Sequence, residues 1–140
     1  MAFEQPLGLV SALYASANYS SAKKQFLLVT STSEVSFKTV ATKGAVVYGV
    51  LQDTPSSGTA GTVMYCGISK VRVTSTAHAA ISPGAKLMCS SVGGALPSTG
   101  GVANYIFGRS RSVLGANTTG IITAQLTFEG AGSSGAATAP

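Results

Sequence analysis

The chain has 140 residues and a mass of 13.9 kDa, which predicts a single domain. Charged residues make up only 9% of it, against roughly 25% in average domains, while ample Val, Ile and Leu exclude a charged disordered chain. No apolar run approaches the ~18 residues of a membrane helix, and the net charge of +5 is scattered, so neither membrane nor nucleic acid is an expected partner.

Residues 1–22 are predicted to form an extended N-terminal arm, because scattered apolar side chains stand there without strand patterning. Six residues are candidates for docking on another protein or on a neighbouring copy: Phe3, Leu7, Leu9, Val10, Leu13 and Tyr14. Burial of four such side chains would contribute roughly 6–12 kcal/mol before the entropy cost of ordering the arm. Deletion of residues 2–18 is then expected to leave a folded domain with weakened binding, whereas a frayed terminus is the alternative interpretation.

Residues 23–129 are predicted to form an all-β domain of short strands separated by turns that contain Gly or Pro. Strict alternation is visible where Val71 and Val73 oppose Lys70 and Arg72, and no stretch has sustained helical periodicity. The predicted strands are Gln25–Thr30, Glu34–Val40, Ala45–Gln52, Thr62–Cys66, Ser69–Thr74, Ala85–Cys89, Ala103–Arg111 and Ile121–Phe128.

An internal repeat is visible at an offset of 59 residues, which aligns Tyr48-Gly49 with Phe107-Gly108 and Gly61 with Gly120. Each copy has the order strand, polar loop, glycine turn, strand. Chance similarity in a chain rich in Gly and Thr is the alternative. If the repeat is genuine, two related hairpins form much of a small β-barrel, an architecture that removes exposed sheet edges.

Residues 130–140 contain no aliphatic side chain larger than Ala and are predicted to be a flexible tail. The glycines from Gly130 to Gly135 match G-x-G-x-x-G. A dinucleotide site also needs a βαβ unit, which the few remaining residues cannot supply, so no cofactor is predicted.

Residues with catalytic or metal-binding chemistry are few and scattered. His78 is the single histidine and Asp53 the single aspartate, and neither has a sequence neighbour that would complete a triad or a metal site. We therefore expect neither an enzyme nor a metal protein. Cys66 and Cys89 form no C-x-x-C motif and are expected to be buried, reduced thiols, consistent with synthesis in a cytoplasm.

Two pairs of cations are candidate contacts for an acidic partner. Arg109 and Arg111 alternate within one predicted strand and Lys70 and Arg72 within another, so each pair shares a face. Arginine forms bidentate pairs with carboxylates, which makes such a face suited to an acidic protein. An ordinary solvated strand face is the alternative.

Several phrases occur in a characteristic order between about Ala41 and Phe128. They are Ala45 to Val50, then Gly61-Thr-Val-Met-Tyr-Cys-Gly, then the spacing of Ile81, Gly84 and Leu87, and finally Gly120-Ile-Ile-Thr-Ala-Gln-Leu. In this order the chain resembles the small capsid cement, or head decoration, proteins of tailed bacteriophages.

The resemblance implies a β-barrel of the tulip or clip type without catalytic activity, made in the bacterial host cytoplasm and bound to the outer capsid surface of the virion. The implied partners are the major capsid protein, whose subunits it would bridge to stabilise the shell, and further copies of itself, as a trimer in preference to a dimer. The low fraction of charged residues agrees with burial against other subunits. A phage receptor-binding or head-fibre adhesion module is the alternative.

Overall fold

The computed structural model describes residues 10–98 and 104–131, and it confirms the all-β class. One short 3-10 turn at Ala22–Lys24 interrupts an otherwise β-stranded chain. The strands in this part of the chain are β1 Val10–Ala15, β2 Leu28–Ser33, β3 Ser36–Thr39, β4 Gly49–Leu51, β5 Ala60–Met64, β6 Gly67–Val73, β7 Lys86–Cys89, β8 Ala95–Pro97, β9 Tyr105–Ser110 and β10 Gly120–Ala131.

The first five strands close into a barrel in the order β1-β3-β2-β4-β5. Strand β1 completes the ring because it pairs parallel with β3 and antiparallel with β5. Alternate side chains point inward and form an apolar interior that includes Leu13, Phe37 and Val63. Tyr19 stacks on Phe37 with 5.5 Å between ring centroids, and its hydroxyl accepts a hydrogen bond from the Thr39 amide at 3.0 Å.

The other five strands form an antiparallel sheet in the order β6-β10-β9-β7-β8, which packs against the barrel. A second core fills the space between them, where Leu28 and Val50 from the barrel meet Val71, Ile122 and other buried residues of the sheet. The predicted alternation in β6 is confirmed, since Val71 and Val73 are buried and Lys70 is exposed. The single barrel expected from the sequence thus accounts for only half of the strands.

The predicted arm over residues 1–22 must be corrected, because residues 10–15 are a strand of the barrel. Leu13 is 7% exposed and lies in the interior of its own barrel, so it is not available to another protein, whereas Tyr14 points outward and is 55% exposed. The small Ser and Ala residues of β1 give it no clear strand pattern in the sequence. Without β1, however, β3 and β5 would each have an unpaired edge. Val10 contributes backbone to β1, and the candidates Phe3, Leu7 and Leu9 lie outside the described residues.

Both copies of the internal repeat are antiparallel hairpins, β4 with β5 and β9 with β10. The aligned glycines have the same role: a Cβ on Gly49 would lie 2.6 Å from the Met64 carbonyl oxygen, and one on Gly108 would collide with the Gln125 carbonyl. Only the first hairpin belongs to the barrel, however, so the expectation that both build it is wrong.

The boundary predicted for the tail also changes, since β10 continues to Ala131, which pairs with Tyr105 of β9. Strand β8 is an additional strand that the sequence does not predict, because three residues are too few to show alternation. Residues 132–140 lie outside the described residues.

Neighbouring substitutions in β1 separate the barrel strand from the predicted arm. Leu13→Ala removes side-chain volume from the barrel interior and is expected to lower the free energy of unfolding by about 2–4 kcal/mol. Tyr14→Ala alters an exposed side chain and is expected to change it by no more than about 0.5 kcal/mol. Urea unfolding followed by circular dichroism measures both. Equal, small effects would contradict the role of β1 in the barrel.

Candidate functional site

The outer face of the second sheet brings the four predicted cations together. Strand β10 lies between β6 and β9, and the residues of these strands that alternate with buried ones point to solvent. We call this surface the cationic face; it consists of Arg111, which follows the end of β9, and of the strand residues Ile68, Lys70, Arg72, Arg109, Ile121, Thr123 and Gln125.

The strand register arranges the cationic face in rows. Lys70 pairs with Thr123, whose carbonyl accepts a hydrogen bond from the Arg111 amide at 2.7 Å, so Thr123 lies between the two cations. Since neighbouring strands lie about 4.8 Å apart, the backbones of Lys70 and Arg111 are separated by about 10 Å. A single acidic segment can therefore contact both.

A second row joins Ile68 to Gln125 and Gln125 to Arg109. Ile68 and Ile121 are 50% and 45% exposed, so the face carries apolar area as well as charge. These isoleucines lie in the two outer rows of the face, beside the cations, and exposed apolar side chains next to charged groups are a surface that protein interfaces bury.

Two of the four cations have partners inside the chain. The Arg72 guanidinium donates to the carbonyls of Gln25 and Ala22, both at 3.1 Å, and so fastens the 3-10 turn to β6. Arg109 donates from Nε to Glu129 Oε1 at 2.7 Å and from Nη2 to Oε2 at 3.4 Å, a bidentate pair. Lys86 adds a longer contact of 3.8 Å to the same carboxylate.

The other two cations form no ion pair within residues 10–98 and 104–131. Lys70 Nζ lies 5.8 Å from the centroid of the Phe26 ring, a cation–π arrangement that leaves the ammonium open to solvent. Arg111 borders a shallow pocket of about 470 Å³ together with Arg109 and Gln125. Lys70 and Arg111 are thus the cations of this face that an acidic partner can use.

Glu129 sets the charge at one end of the cationic face. The hydrogen bond from Arg109 is the main cause that lowers the pKa of this carboxyl below its ordinary value of 4.5, with further lowering from the charges of Arg109 and Lys86. Glu129 therefore stays ionised at neutral pH and offsets part of the positive charge near Arg109.

The histidine and the aspartate, which were the candidates for catalytic or metal-binding chemistry, form hydrogen bonds with the backbone. His78 directs Nδ1 to the Ala79 carbonyl at 2.6 Å and Nε2 to the Thr118 carbonyl at 2.7 Å, which joins two loops. Both carboxylate oxygens of Asp53 accept from the Thr62 amide at 3.0 Å. No group of three metal-ligating side chains occurs in the described parts of the chain.

The prediction of two buried thiols is confirmed for Cys89 and wrong for Cys66, which is half-buried. The Cys89 thiol donates to the carbonyls of Thr42 and Ala45, both at 3.3 Å. Burial raises the pKa of Cys89, so this thiol is a poor nucleophile. Within the described ranges no helix has the length and apolar character needed to cross a membrane.

Alternation along the chain indicates the two cation pairs but not their common location. Nothing in the chain order indicates that β10 separates β6 from β9, because β7 and β8 come between them in sequence. The contact between Arg109 and Glu129 is not among the predictions either, because Glu129 lies one residue beyond the predicted strand Ile121–Phe128.

Protonation of Glu129 is expected to control a small part of the stability. Because its pKa is lowered in the folded chain, the contribution is present at neutral pH and is lost as the pH falls through that lowered pKa. Glu129→Gln should therefore destabilise by about 0.5 kcal/mol at pH 7, since the pair is partly exposed, and by nothing measurable well below pH 4.5. Urea unfolding of both proteins across this range measures the difference; a constant difference would contradict the assignment.

No protein-family model matches the chain, and no curated protein matches it. Among solved structures, the chain is similar to the N base of the head fiber gp8.5 in bacteriophage phi29. The TM-score is 0.60 with 14% sequence identity, and the alignment covers 89% of this chain and 98% of the other. At this identity the similarity establishes a shared fold, which extends over both the barrel and the second sheet.

Proposed function

We propose that this protein is a structural, non-enzymatic component of a bacteriophage head, which binds the outer surface of the assembled capsid and bridges major capsid protein subunits. The cationic face is the observation on which this proposal depends. It combines exposed isoleucines with cations that have no acidic partner in the described residues, which is the chemistry of a protein interface.

Two independent resemblances support a location on a phage head. The order of sequence phrases between Ala41 and Phe128 resembles capsid cement proteins. The fold resembles the base of a phage head fiber over 89% of the chain. Because both resemblances are to proteins of phage heads, they favour the same location for this chain.

The binding mode follows from the geometry of the face. The side chains of Lys70 and Arg111 lie on either side of Thr123 and can engage carboxylates on adjacent segments of a capsid surface. The neighbouring isoleucines bury apolar area in the same contact. A protein that binds the shell but not its dissociated subunits stabilises the shell by its binding free energy.

A second function, as the base of a head fibre or an adhesion module, is favoured by the similarity to the head fiber N base. In that case the cationic face still binds the head, and further protein attached to the chain contacts the host. Virions that lack the protein separate the two functions: a cement protein affects resistance of the head to heat and low salt, whereas a fibre affects adsorption to cells.

Copies of the chain are proposed to associate as a trimer. Charged residues are only 9% of the sequence, and several large apolar side chains outside the cationic face are exposed, among them Val113 at 74% and Val35 at 58%. Closed symmetric assembly is the usual way in which soluble chains cover such surface.

Reversal of charge on the cationic face tests the capsid contact. The double variant Lys70→Glu and Arg111→Glu is expected to bind purified heads of the parent phage at least about tenfold more weakly, because attraction becomes repulsion at two points. Wild-type binding should also weaken as salt is added. Co-sedimentation with heads that lack the protein measures both effects.

Lys38→Glu combined with Lys43→Glu is the matched control, since both lysines are exposed and lie outside the cationic face, and their reversal changes the net charge by the same amount. It should bind as the wild type does. Equal binding by the double variant and the control would contradict docking through the cationic face.

The oligomeric state has its own test. Light scattering coupled to gel filtration should give three times the monomer mass of 13.9 kDa. A mass of one or two chains at every concentration tested would contradict the trimer in solution.

A further inference from the structure

An uncharged aromatic groove lies at one end of the barrel, away from the residues of the cationic face. Its volume is about 370 Å³, and its lining combines aromatic rings with small side chains of β2 and of the segment before β4. The lining residues are Thr30, Ser31, Val46, Val47, Tyr48, Tyr65, Tyr105 and Phe128. We call this the aromatic groove.

The rings of the groove come from both halves of the fold. Tyr48 and Tyr65 belong to the barrel end and lie 5.9 Å apart between centroids. Tyr105 belongs to β9, and Phe128 stands at the register shift in β10 with a φ of 46°, which is unusual for a bulky side chain. Bulges of this kind change the direction of a side chain, here toward the groove.

Among the described residues, no charged side chain lines the aromatic groove, although the chain carries a net charge of +5. Val46 is 60% and Tyr48 38% exposed, so apolar surface is left open. The occupant that suits this surface is a segment with apolar side chains and few charges.

The strand register shows at which end of the barrel the described chain begins. Leu28, Val50, Met64 and Val10 form one continuous row across β2, β4, β5 and β1. Beyond this row, on the same end of the barrel, come Thr30, Tyr48 and Tyr65 of the groove. Because Val10 pairs with Met64, the chain enters β1 next to Tyr65, the residue that follows Met64.

We propose that residues 1–9 of the same chain occupy the aromatic groove, with Leu7 and Phe3 packed among its rings. Only one of these nine residues, Glu4, has a charged side chain, and Phe3, Pro6 and Leu7 are apolar. From β1 to β4 is two strand spacings, about 10 Å, whereas six extended residues between Leu9 and Phe3 span up to about 20 Å.

The tether favours the chain's own segment over other occupants. A short tether gives an effective concentration in the millimolar range, above that of any free peptide in dilute solution. Occupation of the groove does not depend on the proposed function, because it concerns the isolated protein.

Tryptophan fluorescence tests the proposal, since the chain contains no Trp. Phe3→Trp introduces a reporter at the proposed contact. We expect blue-shifted emission and quenching by acrylamide several-fold weaker than that of free tryptophan. Emission and quenching like those of free tryptophan would overturn the proposal.

A charge in the groove should release the segment. Val46→Asp, combined with Phe3→Trp, is expected to shift the emission to longer wavelength and restore quenching, while circular dichroism shows an intact fold because Val46 is largely exposed. Val113→Asp is the matched control, since Val113 is 74% exposed and does not line the groove. Equal responses to the two aspartates would overturn the proposal.

Mixed refolding distinguishes the chain's own segment from that of a neighbour. The chain that carries both Phe3→Trp and Val46→Asp is unfolded in urea and refolded with an excess of wild-type chains. The reporter should remain exposed, because its own groove is altered. Recovery of the blue-shifted, protected emission would mean that a second copy supplies the groove, and would overturn the proposal.

Discussion

Strand β10 is hydrogen-bonded along both edges, to β6 on one side and to β9 on the other, and the register of these two pairings determines the second sheet. Ile122, Ala124 and Leu126 point to the core and are at most 5% exposed. A slip of one residue would move all three to solvent and bring their polar neighbours into the core. The burial of one side of β10 therefore fixes which residues form the cationic face on the other.

The two halves of the fold support each other through strands that face two cores. In β2 and β4, Val29 and Leu51 point into the barrel, while Leu28 and Val50 point to the sheet. Because β1 closes the barrel, it stabilises the strands whose outer side chains pack against the sheet. The hydrogen bonds from Arg72 to the turn between β1 and β2 connect the halves again at the edge of the cationic face.

Local patterns in the sequence were sufficient to predict the all-β class, the eight strands that alternate or are rich in β-branched residues, and the two hairpins of the repeat. They could not reveal β1, because its Ser and Ala residues carry little pattern and its value lies in pairing with distant β3 and β5. Strand β8 is only Ala95–Pro97 and offers too few positions for alternation.

The site was predictable to a similar degree. Alternation predicts Lys70 and Arg72 as one pair and Arg109 and Arg111 as another, but their meeting on one face depends on the order of strands in the sheet, which is set by long-range pairing. The aromatic groove had no local signal, since its rings come from four separate stretches of chain.

The two proposals together assign separate roles to two surfaces: we propose the cationic face as the contact with a phage capsid and the aromatic groove as the binding surface for residues 1–9. The most direct test of the central claim is a cryo-electron microscopy reconstruction of the phage head that carries this protein. We predict density for the barrel and sheet outside the shell, with Lys70 and Arg111 against acidic groups of major capsid protein subunits. Density in which the face of β6, β10 and β9 points to solvent, or a virion without the protein, would contradict this claim.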